Sequence, residues 1–171
     1  MHGHRLRSVF DTAHRRQPPT GAQRALLAED FAGAKAPVQD PAGWKRYQAG
    51  AQTSASRLTL TGQSKLVAGD ITWSNYLLET TLMLKSGEGN AGLIFRVNDP
   101  GPNPDQMRGY YAGIDRHTLY LGKMNNNWKA LATVDLAKIG RSIDPNAWNL
   151  LRVAVQGDRI RVWLNPRHDD T

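Results

Sequence analysis

The order of residues predicts an all-β fold, an antiparallel sandwich of the jelly-roll type. Three observations carry this expectation. From Leu26 onward, short stretches alternate apolar and polar residues. Clusters of Gly, Asn, Asp and Pro separate these stretches at regular spacing, as in sandwiches and barrels rather than βαβ units. No segment sustains the 3.6-residue apolar period of a helix, apart from a turn expected around Asp135–Ile139.

The expected strands follow in order. LLAEDF (residues 26–31) opens the series, and RLTLTG (57–62) sets Leu58 and Leu60 against Arg57, Thr59 and Thr61. YLLETTLML (76–84) sets Tyr76, Leu78, Leu82 and Leu84 against Glu79, Thr81 and Met83. AGLIFRVN (91–98), GYYAGID (109–115), TLYLGKM (118–124) and WKALATV (128–134) come next. WNLLRVAV (148–155) and RIRVWLN (159–165) close the series, joined through Gln156-Gly157-Asp158 as a tight hairpin. The irregular run NDPGPNPDQMR (98–108) holds three prolines, which favour an extended or turning loop.

A chain of 171 residues accommodates one domain and a tail. Residues 1–25 read as a basic, flexible N-terminal arm and residues 26–171 as the sandwich. The net charge of +7 is concentrated accordingly. Residues 1–24 hold five Arg and one Asp, a net +4, and the rest of the chain holds 17 basic and 14 acidic residues, a net +3. The body is thus only mildly basic, and no ladder of aromatics runs along a basic strand, which argues against a nucleic-acid partner. No stretch approaches the roughly 20 apolar residues of a membrane helix, and MHGHRLRSVFDTAHRR lacks the apolar core of a signal peptide. The absence of cysteine removes disulfides, thiolate metal sites and cysteine nucleophiles.

Alternation sorts the side chains into two faces. Ala91, Leu93, Phe95 and Val97 are expected inward, with Gly92, Ile94, Arg96 and Asn98 outward. Tyr110, Ala112 and Ile114 face the core, leaving Tyr111, Gly113 and Asp115 on the open side. Leu119 and Leu121 go in, Tyr120 and Gly122 out. Three consecutive long strands are therefore expected to present Glu79, Arg96, Tyr111 and Asp115 on one open face, with Gly92 and Gly113 leaving a floor between them. That set suits a sugar: carboxylates accept from vicinal hydroxyls, a guanidinium donates in a fixed fork, and a ring stacks on the apolar face of a pyranose or furanose. The competing reading is a solvated face whose charges pair across strands. The outward glycines, which have no packing purpose on a solvated strand, and the mid-strand placement of the charges weigh against it.

The motifs also carry a resemblance. AGDITWSNYLLETTLMLKSGEGNAGLIFRVNDP, then MRGYYAGID, then AWNLLRVAVQGDRIRVWLN, resemble the concanavalin A-like lectin/glucanase jelly rolls over roughly residues 27–165. Within that group they are most similar to the fructan-binding (levan-type) carbohydrate-binding modules and the 3-keto-disaccharide hydrolase domain family. The resemblance implies carbohydrate held on the concave sheet by acidic and Arg residues, matching Glu79, Arg96 and Asp115, with Tyr111 as a neighbour. It also implies an extracellular or periplasmic setting and association with glycoside hydrolases. Two departures stand out. Pro166 occupies the place of a turn Gly, and the chain stops where the family continues with closing strands. An incomplete sandwich would expose a sheet edge and favour self-association or cover from the N-terminal segment.

Catalytic signatures are sparse. There is no Glu-x-Asp-x-x-Glu run and no GxSxG elbow. Glu79 and Asp115 lie on different strands with Arg96 between them, an arrangement that suits binding better than acid catalysis. His2, His4, His14 and His168 lie in the arm and the tail, and His117 reads as a turn residue. No cofactor is implied, though Asp and carbonyl oxygens of NDPGPNPD offer ligands for a structural Ca²⁺. Of the five tryptophans, Trp44, Trp73, Trp128 and Trp148 are expected to pack in the core or at its rim, whereas Trp163 is expected outward with Arg161. The resulting expectation is a non-catalytic module that binds a terminal, fructan-like or glucan-like sugar. A glycoside-active domain using Glu79 or Asp115, and a protein-interaction module, are the alternatives.

Overall fold

The computed structural model describes residues 8–9, 25–31, 43–48, 50–54, 57–85 and 89–166. Its strands are β1 (Ser8–Val9), β2 (Lys45–Tyr47), β3 (Ala51–Ser54), β4 (Arg57–Leu60), β5 (Lys65–Val67), β6 (Tyr76–Leu82), β7 (Ala91–Asn98), β8 (Arg108–Ile114), β9 (Thr118–Asn125), β10 (Trp128–Asp135), β11 (Asn149–Gln156) and β12 (Arg159–Leu164). A 3₁₀ turn over Ala137–Ile139 is the only helical element among the described residues, and no helix there is long and apolar enough to cross a membrane.

Two four-stranded sheets dominate, one in the order β1-β12-β11-β6 and the other β10-β9-β8-β7. Two ribbons, β2-β5 and β3-β4, complete the fold. Every pairing is antiparallel except β1 with β12, where Ser8 and Val9 run parallel to Ile160 and Arg161. Two residues of the segment read as an arm therefore pair with the edge of the sandwich. Alternation explains the core. Phe95, Ala112, Ile114, Leu119 and Leu121 of one sheet face Leu151, Val153, Val155, Ile160, Val162 and Leu164 of the other. Tyr76, Leu78 and Leu82 pack against the same cluster. Leu136 and Ile143, beyond the strand ends, are also buried in it.

Two local expectations fare differently. The Gln156–Asp158 hairpin forms as a two-residue turn, with Gln156 opposite Arg159 and Gly157 at φ +57°. Residues 26–31 do not form a strand. The Phe31 amide donates to Glu29 Oε1 at 2.7 Å and Phe31 sits at φ +57°, so a local side-chain hydrogen bond turns the chain where alternation suggested extension.

Candidate functional site

Glu79 is the first correction to the expected face. It lies on β6, which pairs with β11 and belongs to the opposite sheet from Arg96, Tyr111 and Asp115. Being outward on β6 therefore sets it on the other side of the molecule. There it stands opposite Arg152, whose Nε donates to Glu79 Oε1 at 2.7 Å. The next position across the sheet is Trp163, outward as expected. The physical reason is topological: the chain crosses from one sheet to the other between β6 and β7, so neighbours in sequence do not share a face.

Arg96 departs for a different reason. Between Phe95 and Asn98 the β7–β8 register shifts, and Arg96 adopts φ +50°. This is a β-bulge, which re-aims the side chain and breaks alternation. Gly109 stands against the bulge, where a Cβ would crowd the Arg96 and Phe95 carbonyls. The Arg96 guanidinium donates to the Ser74 carbonyl at 2.7 Å, and its backbone N–H donates to the Tyr76 hydroxyl at 3.0 Å. Arg96 thus ties β7 to the start of β6. Burial pushes the Tyr76 phenol up, with the Arg96 amide and charge pulling the other way.

Asp115 also differs from expectation, since it stands in the β8–β9 hairpin and not mid-strand. Its Oδ1 accepts from the amides of His117 and Thr118, both at 2.7 Å, an Asx-type turn that leaves Oδ2 unused among the described residues. His117 is a turn residue, as the sequence suggests.

The registers set out the open face of the β7–β10 sheet as a grid. Gly92, Gly113, Tyr120 and Thr133 form one row, and Ile94, Tyr111, Gly122 and Ala130 the next. Beyond them come Gly109, Met124 and Trp128. At the other end, the register extended by one residue sets Asn90 opposite Asp115. The glycines are not a bare floor. A Cβ at Gly113 would collide with the Tyr111 ring, one at Gly122 with the Trp128 indole, and one at Gly92 with the Ala112 carbonyl. Two rings therefore lie down on the sheet where adjacent strands offer no side chain. They meet edge to face, with centroids 5.9 Å apart and planes at 76°. The Tyr111 hydroxyl donates to Asn90 Oδ1 at 2.7 Å, which leaves the Asn90 amide NH₂ as an unused donor among the described residues. Burial pushes the Tyr111 phenol well up, and the Asp115 carboxylate adds to the shift.

Of the four expected site residues, the structure brings Tyr111 and Asp115 together at one end of one face, places Arg96 at a bulge and carries Glu79 to the opposite sheet. Asn90 and Trp128 stand beside Tyr111 on that face. Trp128 was legible in principle: a turn at Asn125–Asn127 forces Trp128 opposite Met124, diagonal to the outward Gly122. Trp148, expected to pack, is half exposed, with the Arg57 guanidinium 5.6 Å from its ring centroid. The described residues contain no group of three or more His, Cys, Asp or Glu able to hold a metal. In the Pro-rich connection between β7 and β8, the carbonyl oxygens of Asn103, Pro104 and Gln106 accept hydrogen bonds from Lys65.

Known proteins agree with this architecture. No curated protein matches the chain. A solved structure, the carbohydrate binding module CBM66 from Bacillus subtilis, aligns with a TM-score of 0.61 and 20% sequence identity, covering 73% of this chain and 75% of its own. The two share the jelly-roll fold. A family model described as a 3-keto-alpha-glucoside-1,2-lyase-like domain matches residues 36–167, most of the chain. The protein belongs to the 3-keto-alpha-glucoside-1,2-lyase-like domain family.

Proposed function

We propose that this domain binds carbohydrate, holding a terminal sugar on the open face of the β7–β10 sheet. The observation that carries the reading is the pair of rings, Tyr111 and Trp128, seated over Gly113 and Gly122 on adjacent strands. Rings laid along a sheet offer the apolar surface that a pyranose or furanose face stacks on. Beside them, the Asn90 amide donates and Asp115 Oδ2 accepts, a complement to two neighbouring hydroxyls. The membership of the family and the fold shared with a module named for carbohydrate binding support the same reading.

Titration with fructan and glucan oligosaccharides, followed by calorimetry, tests it. Trp128→Ala should weaken binding by about 2- to 10-fold, the span of a stacking contact worth ~0.5–1.5 kcal/mol. Asp115→Asn keeps an Asx turn but removes the charge, and should cost about 10-fold or more. Glu79→Gln, on the far sheet, should bind as the parent does. Parent-like binding by both Trp128→Ala and Asp115→Asn, or loss in Glu79→Gln, would move the site elsewhere.

The family's description favours a second reading, a lyase acting on 3-keto glucosides. Elimination across C1–C2 passes the C2 proton to a base while the C1–O bond breaks and the glycosidic oxygen leaves as an alcohol, protonated by water; among the described residues, Asp115 Oδ2 is a carboxylate oxygen on the ringed face that accepts no hydrogen bond. Release of sugar from a 3-keto-disaccharide by the parent, abolished in Asp115→Asn and retained in Glu79→Gln, would replace binding alone with catalysis.

A further inference from the structure

Away from the ringed face, Lys65 at the start of β5 is buried, with 8% of its surface exposed. Lysine is almost never buried to this degree without partners. Its partners are three main-chain carbonyls of the Pro-rich connection between β7 and β8. Nζ donates to Asn103 O at 2.7 Å, Gln106 O at 3.0 Å and Pro104 O at 3.2 Å. Three acceptors match the three N–H bonds of an ammonium, and a neutral amine has one fewer. The Tyr47 ring, on the residue paired with Lys65 across the β2–β5 ribbon, stands 5.7 Å from Nζ and presents its π face to the charge. Burial lowers the Lys65 pKa, and the Asp105 carboxylate of the same loop opposes it.

The loop is folded to aim those oxygens. The Gly101 amide donates to Gln106 O at 2.8 Å, the Gln106 amide to Asn103 O at 3.1 Å, and the Met107 amide to Asp105 O at 2.9 Å. Convergent carbonyls beside a carboxylate are the donor set of a hard-cation site, where Ca²⁺ would sit about 2.3–2.6 Å from each oxygen. Here Nζ stands at that convergence.

We propose that residues 101–106 form a cation-binding loop whose permanent cation is the ammonium of Lys65, so that the loop keeps its shape without a metal ion. The side chain is a tethered occupant, always present at its site, and its charge rather than its apolar stem holds the carbonyls together.

Amide hydrogen exchange and thermal melting test this on the full chain. In the parent, neither a chelator nor added Ca²⁺ should move the melting temperature or the protection of residues 101–107. Lys65→Met, which keeps a long apolar stem and removes the charge, should lose protection in that loop by about 10-fold or more, the effect of removing charged hydrogen bonds. Methylammonium, or Ca²⁺, should restore part of it, while tetramethylammonium, which has no N–H to donate, should not. Unchanged loop protection in Lys65→Met would overturn the proposal, since the stem alone would then hold the loop, as would a loss that no small cation restores, since the carbonyls would then not form a cation site. The parent measurement stands whether or not the variant folds: a chelator that lowers its melting temperature or loop protection would show a metal doing the work assigned to Lys65.

Discussion

Arg96 illustrates how one residue can satisfy a pattern and serve another purpose. At φ +50° it occupies a region that costs a non-glycine residue roughly 1–2 kcal/mol. The guanidinium bond to Ser74 offsets part of that cost. Two variants separate the terms. Arg96→Ala loses the bond and keeps the strain, whereas Arg96→Gly loses the bond and relieves it. Denaturant titration should therefore find Arg96→Gly more stable than Arg96→Ala by about 1 kcal/mol. Equal stability would mean that the bulge carries no backbone strain. Tyr111 and Tyr76 make the pH dependence readable. Both phenols are raised in the fold, so the unfolded chain ionises them first, near pH 10. Their contribution is complete below that pH and is lost as pH climbs from there toward the folded values. The urea midpoint should fall between pH 8 and pH 10.5, and fall less in Tyr111→Phe. An equal fall in both proteins would remove Tyr111 from the account.

At the scale of the element, the β8–β9–β10 meander couples a glycine on one strand to a ring on the next. Gly122→Ala places a methyl group where the Trp128 indole lies, so the ring must tilt away. Tryptophan emission should shift, and sugar affinity should fall about as far as in Trp128→Ala. The double variant should bind no worse than either single one, because both remove the same contact. Additive losses would make the two sites independent. Most strands were legible because each obeys period-two alternation. Leu151, Val153 and Val155 are inward as one set, as are Ile160, Val162 and Leu164. What alternation does not carry is which strands share a sheet. Nothing in YLLETTLML or AGLIFRVN records that the chain changes sheets between them, so alternation alone groups Glu79 with strands of the opposite sheet. A bulge is equally silent, and Arg96 followed. Asp115 was written in the sequence as an Asp-Arg-His-Thr turn, but the strand pattern running into it hid the turn. Lys65 was illegible, because its three partners lie about forty residues away.

Among the described residues one core lies between two sheets, and β12 is bordered on its outer side by the two-residue strand β1. Among the described residues, Ser8 and Val9 pair with Ile160 and Arg161 of β12, and Arg141 donates to the Leu164 carbonyl farther along at 2.7 Å. Unpaired strand edges template the addition of other strands. Removal of residues 1–24 should therefore promote self-association, seen by light scattering as a mass that grows with concentration, whereas the full chain should remain smaller at the same concentrations. A shortened chain that stays monomeric throughout would mean that β1 protects nothing. The ringed face has a different consequence for the molecule. Tyr111 and Trp128 lie against main chain and against each other, so folding has already removed most of their rotational freedom. Immobilising a free side chain on association typically costs about 0.5–1.5 kcal/mol. A sugar bound there as proposed would meet little of that entropic cost, so even a small, shallow contact could retain it with its other hydroxyls still facing water.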